Sequence, residues 1–138
     1  MIAGRTKRIL LVEDEPTISE VCLRILSKEF EVGIAVDGSV AKNMVAKKDY
    51  DVIIIDIVTP VMDGKQLYQS LVEEHPELVT RVIFTTGDIM GGDTKSFIER
   101  SARPLLLKPF TPAELLSMIQ QTLCQMGKST ARDSLFQH

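Results

Sequence analysis

Residues 51–64 read DVIIIDIVTPVMDG, and the fold turns on them. Val52, Ile53, Ile54 and Ile55 are four consecutive β-branched apolar residues, and the run stops at a carboxylate, Asp56. A strand with one wet face alternates apolar and polar positions. A continuous run marks a strand buried on both faces, as in the middle of a parallel sheet. Pro60 and Asp63-Gly64 mark the turn that follows. A lone carboxylate at the carboxyl end of such a strand stands where open α/β sheets place their ligands.

The chain on either side repeats the pattern. Upstream, residues 7–12 (KRILLV) form a predicted strand that ends in Glu13, Asp14 and Glu15. Pro16 suits the first turn of a helix, which carries Ile18, Val21, Cys22, Ile25 and Leu26 at helical spacing. Residues 31–36 (EVGIAV) give a second strand, Asp37-Gly38 a turn, and 39–48 a helix with Val40, Met44 and Val45 inward. Downstream, a helix over 65–74 faces Leu67, Tyr68 and Leu71 inward and is stopped by His75-Pro76. Residues 81–85 (RVIFT) are a fourth strand, followed by Thr86, Gly87 and Asp88. Gly91-Gly92 opens onto a short polar helix over 94–100. Residues 104–107 (PLLL) are a fifth strand, ending in Lys108-Pro109-Phe110. Thr111-Pro112-Ala113-Glu114 is a capping box with proline at the first helical position. The last helix carries Leu115, Leu116, Ile119, Leu123 and Met126 and is expected to stop at Gly127. That predicts one domain over 7–126, with 127–138 a polar tail or the start of a linker. Five strand–helix alternations predict an α/β fold, a parallel sheet with helices on both faces.

Composition bounds the function. The chain has 138 residues, 44% hydrophobic and 25% charged, the balance of a single globular domain. Net charge is -3, and the one basic cluster is RTKR at 5–8, which argues against direct nucleic-acid binding driven by bulk basicity. Cys22 and Cys124 have no metal-site or redox spacing and read as packing thiols. No apolar run approaches the roughly 18–20 residues of a membrane span, and 9–12 is too short for a signal-peptide core. No membrane association and a cytoplasmic location are the expectation.

Parallel strands all end at one edge of their sheet. That edge collects Glu13 and Asp14 after the first strand, Asp56 after the third, Thr86 after the fourth and Lys108 after the fifth. Three carboxylates do not crowd together ionised without counter-charge. Lys108 supplies one; a hard divalent cation supplies more, and oxygen-only ligands without histidine point to Mg²⁺ rather than zinc. A carboxylate beside Mg²⁺, with an ammonium and a hydroxyl to hold oxygens, is equipped to be phosphorylated on its own oxygen.

Four motifs in order, LLVEDEP, IIIDIVTPVMDG, VIFTTG and LLLKPF, resemble the receiver domains of two-component response regulators. The resemblance covers about residues 7–126. It implies a five-stranded parallel sheet of order 2-1-3-4-5. It implies that Asp56 is the phosphoacceptor, taking its phosphoryl group from a phosphohistidine on a histidine kinase or phosphotransfer protein. Asp14 would be a direct Mg²⁺ ligand, Glu13 an acid acting through water, and the Val58 backbone carbonyl the last protein ligand. Thr86 and Lys108 would hold phosphoryl oxygens, and Lys108–Pro109 would be cis. The resemblance also implies a protein target or an attached output domain, addressed through the face of the fourth helix, fifth strand and fifth helix.

The chain departs from the family at three places. Leu105 stands where an aromatic residue often swings inward, Val58 stands two after the acceptor, and Asp88 two after Thr86. An apolar Val58 is expected to hinder attacking water. An alternative of another class is a haloacid-dehalogenase-like phosphohydrolase with an Asp56 nucleophile. It lacks the second aspartate in Asp56-Ile57-Val58-Thr59 and a cap domain. A nucleotide- or flavin-binding loop is excluded by EDEP after the first strand, which repels phosphate. No helix-turn-helix pattern follows Met126. A stand-alone regulator and a receiver from a larger protein, such as a hybrid kinase, both remain open.

Overall fold

The computed structural model describes residues 6–87 and 91–136, with side chains through Gln125. Five parallel strands, β1 (Arg8–Val12), β2 (Glu31–Ala35), β3 (Val52–Asp56), β4 (Val82–Thr86) and β5 (Leu105–Leu107), form one sheet in the order β2-β1-β3-β4-β5. The predicted class and strand order are both present. β3 is central and every one of its residues is buried, as its unbroken apolar run requires. It pairs Ile9 with Val52 on one side and Asp56 with Thr85 on the other.

Alternation along the strands builds two cores. Leu10, Val12, Ile53, Ile55, Val82 and Phe84 face one way. They are covered by α2 (Gly38–Lys47), α3 (Gly64–Glu74) and α4 (Gly92–Ser101). Ile9, Leu11, Val52, Ile54, Ile83 and Leu106 face the other way, under α1 (Pro16–Leu26) and α5 (Pro112–Phe136). Three of the five helix starts, those of α2, α3 and α5, are fixed by side chains. Asp37 accepts from the Ser39 and Val40 amides, Asp63 and Gln66 form a reciprocal capping box, and so do Thr111 and Glu114.

Five local expectations differ from the structure, the first being Cys124, read as a packing thiol but exposed, while Cys22 is buried. Val21 and Val40 are exposed, because the buried stripes of α1 and α2 are narrower than their apolar patterns: Cys22 and Leu26 carry the first, Ala41 and Val45 the second. Residues 76–81 form a 3₁₀ turn (Pro76–Arg81), which buries Leu78. The polar helix begins at Gly92, two residues earlier than expected. The last helix runs through Gly127 to Phe136. Glycine ends a helix where it turns left-handed, and among the described residues no glycine has a positive φ. Here it is an interior residue with the usual cost of about 1 kcal/mol against alanine. Among the described residues no helix is long and apolar enough to cross a membrane.

Candidate functional site

The carboxyl edge of the sheet is held past the ends of the strands. The Glu13 amide donates to the Ala35 carbonyl (2.9 Å), Ile57 to Thr85 (3.0 Å) and Lys108 to Thr86 (3.0 Å). These bonds fix the peptides that carry Glu13, Asp56 and Lys108, so the sheet itself sets their spacing.

The side chains then meet. Lys108 Nζ lies 2.7 Å from Glu13 Oε1, 2.8 Å from Asp56 Oδ2 and 3.6 Å from Glu15 Oε1. The other Asp56 oxygen, Oδ1, accepts from the Val58 amide at 3.1 Å. Glu13 Oε2 accepts from the Glu15 amide at 3.2 Å. Glu13, Asp56 and Thr86 are buried, while Glu15 and Val58 are exposed. A cleft of about 220 Å³ opens over this group, lined by Asp14, Glu15, Asp56, Val58, Gly87 and Lys108.

Burial drives the Glu13 carboxyl above its ordinary pKa; the Lys108 hydrogen bond opposes that rise and the Asp56 charge adds to it. For Lys108, burial pulls the other way, but its bonds to Asp56 and Glu13 prevail, and its pKa is raised. The lysine is therefore a fixed positive charge between two buried acids.

Glu13, Asp56 and Lys108 are in direct contact. Asp14 and Val58 line the cleft. Thr86 is buried at the end of β4, its carbonyl bonded to Lys108, and the next residue, Gly87, reaches the cleft wall. Asp88 lies outside the described residues. Leu105 is partly buried against the core on the Phe84 side, and Lys108–Pro109 is cis. Met62 also packs against that core. Glu15, which the strand-end pattern does not mark as a site acid, joins the group: carboxylate oxygens of Glu13, Glu15 and Asp56 all lie within 4.8 Å of one another. The signal was present in the three-acid run: Glu15 is the residue before α1, and its own amide is tied back to Glu13.

A hard divalent cation suits this donor set. All its ligand atoms are oxygens, the type a hard cation takes, and the three carboxylates already gather, within 4.8 Å of one another, around one positive group, the Lys108 ammonium.

The response regulator receiver domain model matches residues 9–120. The chain belongs to that family. Its function is that of a receiver domain of two-component signalling, and nothing in the match favours the haloacid-dehalogenase alternative. Among curated relatives, the response regulator GtcR of Aneurinibacillus migulanus is 33% identical over 119 residues, covering 86% of this chain and 48% of the relative. The chain thus spans about half of that relative's length. A receiver domain protein from Methanospirillum hungatei JF-1 superposes with a TM-score of 0.82 at 25% identity, over 91% of this chain and 99% of that one. The receiver domain of the sensor histidine kinase PA1611 from Pseudomonas aeruginosa PAO1, solved with a magnesium ion coordinated in its active-site cleft, gives 0.77 at 28% identity, over 86% of this chain and 98% of that one.

Proposed function

We propose that Asp56 is the phosphoacceptor of this receiver. One observation carries the reading: Asp56 is buried with one oxygen on the Lys108 ammonium and the other on the Val58 amide, at the floor of an acidic cleft. An Asp56 oxygen attacks the phosphorus of a phosphohistidine on a histidine kinase or phosphotransfer protein. The N–P bond breaks, an acyl phosphate forms, and the imidazole leaves with the bonding pair and takes up a proton. In this reading Lys108 leaves Glu13 and pairs with a phosphoryl oxygen, and the Thr86 hydroxyl pairs with another. Glu13, Asp14, Asp56 and the Val58 carbonyl would hold Mg²⁺, with Glu15 added by the geometry. When bound, that ion supplies the positive charge that lets anionic phosphate approach the acids.

On this reading the chain catalyses only its own phosphorylation and dephosphorylation. Residues 7–126 make up the receiver and 127–138 lead out of it. The face of α4, β5 and α5 addresses a downstream protein or an attached output domain, in the cytoplasm. The build of α4 supports that output face. Ile98 is its one buried residue, and a side chain at Gly91 or Gly92 would meet nothing within 4 Å.

Incubation of the chain with acetyl phosphate and Mg²⁺, followed by intact mass, tests the assignment. The parent should gain one phosphoryl group and Asp56→Asn none. Equal gain in both would remove Asp56 from the role.

A further inference from the structure

The loop between β3 and α3 is tied by bonds that periodicity does not reveal. At its base the Gly64 amide donates to the Ile57 carbonyl at 3.0 Å. Across it the Thr59 hydroxyl donates to the Met62 carbonyl at 3.1 Å, and the same carbonyl accepts the Gly38 amide from the start of α2 at 2.9 Å. Thr59 is 8% exposed. A side chain at position 38 would put its first carbon 2.5 Å from that carbonyl oxygen, so only glycine lets α2 come this close. Between the two ends of the Thr59–Met62 bond stands Val61, with φ 65° and 82% exposure. A β-branched residue adopts that left-handed conformation only when its surroundings impose it. The exposed Val61 side chain does not supply the constraint; the bonds on either side of it do.

Val58 sits at the head of this loop. Its amide is already held by Asp56 Oδ1, and its carbonyl belongs to the peptide it shares with Thr59. We propose that Thr59 is a positioning residue for the cation side of the site. Its hydroxyl, by fixing Met62 and the left-handed Val61, holds the Val58–Thr59 peptide where the Val58 carbonyl can serve a divalent cation. This inference rests on the Mg²⁺ reading above.

The test is calorimetric titration of the unphosphorylated full chain with Mg²⁺ alone. Loss of one hydrogen bond from the loop should weaken binding by roughly three- to tenfold in Thr59→Val. Thr59→Ser keeps the hydroxyl and should stay within about twofold of the parent on the same scale. Thr59→Val also costs stability, so the same change is made together with Val61→Gly, which removes the left-handed cost and restores folding. The double variant should regain its Tm while Mg²⁺ binding stays weak. If binding returns with the Tm, Thr59 is merely structural and the proposal is overturned. It is overturned equally if folded Thr59→Val binds Mg²⁺ as the parent does. A parent that binds no Mg²⁺ overturns the cation reading and this inference with it.

Discussion

Replacing Lys108 with alanine leaves two buried acids facing each other. Glu13 is 2% exposed and Asp56 3%. Both oxygens touch the ammonium, at 2.7 and 2.8 Å, so they are at most about 5.5 Å apart, and at an effective dielectric near 20 two unit charges there repel by about 3 kcal/mol. In a chain of this size such a loss lowers Tm by on the order of 10 °C. The loss depends on pH with a definite sign. Glu13 in the folded parent already holds its proton more tightly than its ordinary 4.5, because it is buried. Without the lysine it holds it more tightly still. A raised folded pKa contributes stability that is complete below the unfolded value and is lost as pH rises through the folded one. The gap between parent and Lys108→Ala should therefore be small near pH 5 and wide near pH 8. Excess Mg²⁺ should narrow it at the higher pH by replacing the missing charge, and Lys108→Arg should show less of it. Thermal or urea unfolding at both pH values, with and without Mg²⁺, reads all of this. A deficit equal at both pH values and untouched by Mg²⁺ would mean the lysine contributes packing, not charge, and would refute the electrostatic account of the site.

Three further outcomes follow from the same structure. The Asp37 carboxylate is held below its ordinary 3.8 by the Val40 amide first and then by Ser39. Its contribution is present above that value and lost as pH falls through the folded pKa, so Asp37→Asn should flatten the acid limb of a stability–pH curve; an unchanged limb would remove the cap from the account. Cys22 is buried, and burial pushes its thiol up to about 11, whereas Cys124 is exposed. At pH near 8 the native chain should take up one alkyl group rapidly and the unfolded chain two; two rapid additions to the native chain would contradict the packing of α1. Val58 lines the cleft and is exposed beside Asp56. Val58→Asn should shorten the acyl phosphate lifetime by roughly three- to tenfold, about 1 kcal/mol on the hydrolysis barrier; an unchanged half-life would sink the idea that the valine keeps water away.

What could be read from the chain divides along a physical line. The meeting of Glu13, Asp56 and Lys108 follows from one constraint, that parallel strands end at a common edge, and the amide bonds just past β1, β3 and β5 show it operating, whereas the strand order is what the resemblance to receiver domains implied. Periodicity failed where a helix face is narrower than its apolar pattern, as at Val21 and Val40. It failed again at Gly127, where α5 continues past a residue that commonly ends a helix. Glu15 was hidden for a different reason. A run of three acids shows that charge accumulates, but only the fold shows that the Glu15 carboxylate turns back over the site, to 3.6 Å from Lys108 Nζ. Thr59 was invisible because its partner is a carbonyl, and sequence carries no record of carbonyl directions.

The same division separates two halves of the site that different variants can probe. Glu13, Asp56 and Lys108 stand where the sheet puts them, and what remains variable among them is charge. The Val58 carbonyl stands where the loop puts it, and what is variable there is geometry, held by Thr59, by Gly38 and by the Gly64–Ile57 bond. Charge defects and geometric defects respond differently to protons. Acid neutralises a carboxylate and so relieves Lys108→Ala. It does nothing for a carbonyl that has lost its hydroxyl partner, so the stability lost in Thr59→Val should be the same near pH 5 as near pH 8. Mg²⁺ separates them again. It should rescue the stability of the lysine variant, whose acids are in place and short of positive charge. It should rescue the threonine variant poorly, because there the ion's own ligand is what has moved. If the two variants behaved alike under both treatments, sheet and loop would be acting as one unit, and the site could not be divided into a charged floor and a separately tied rim.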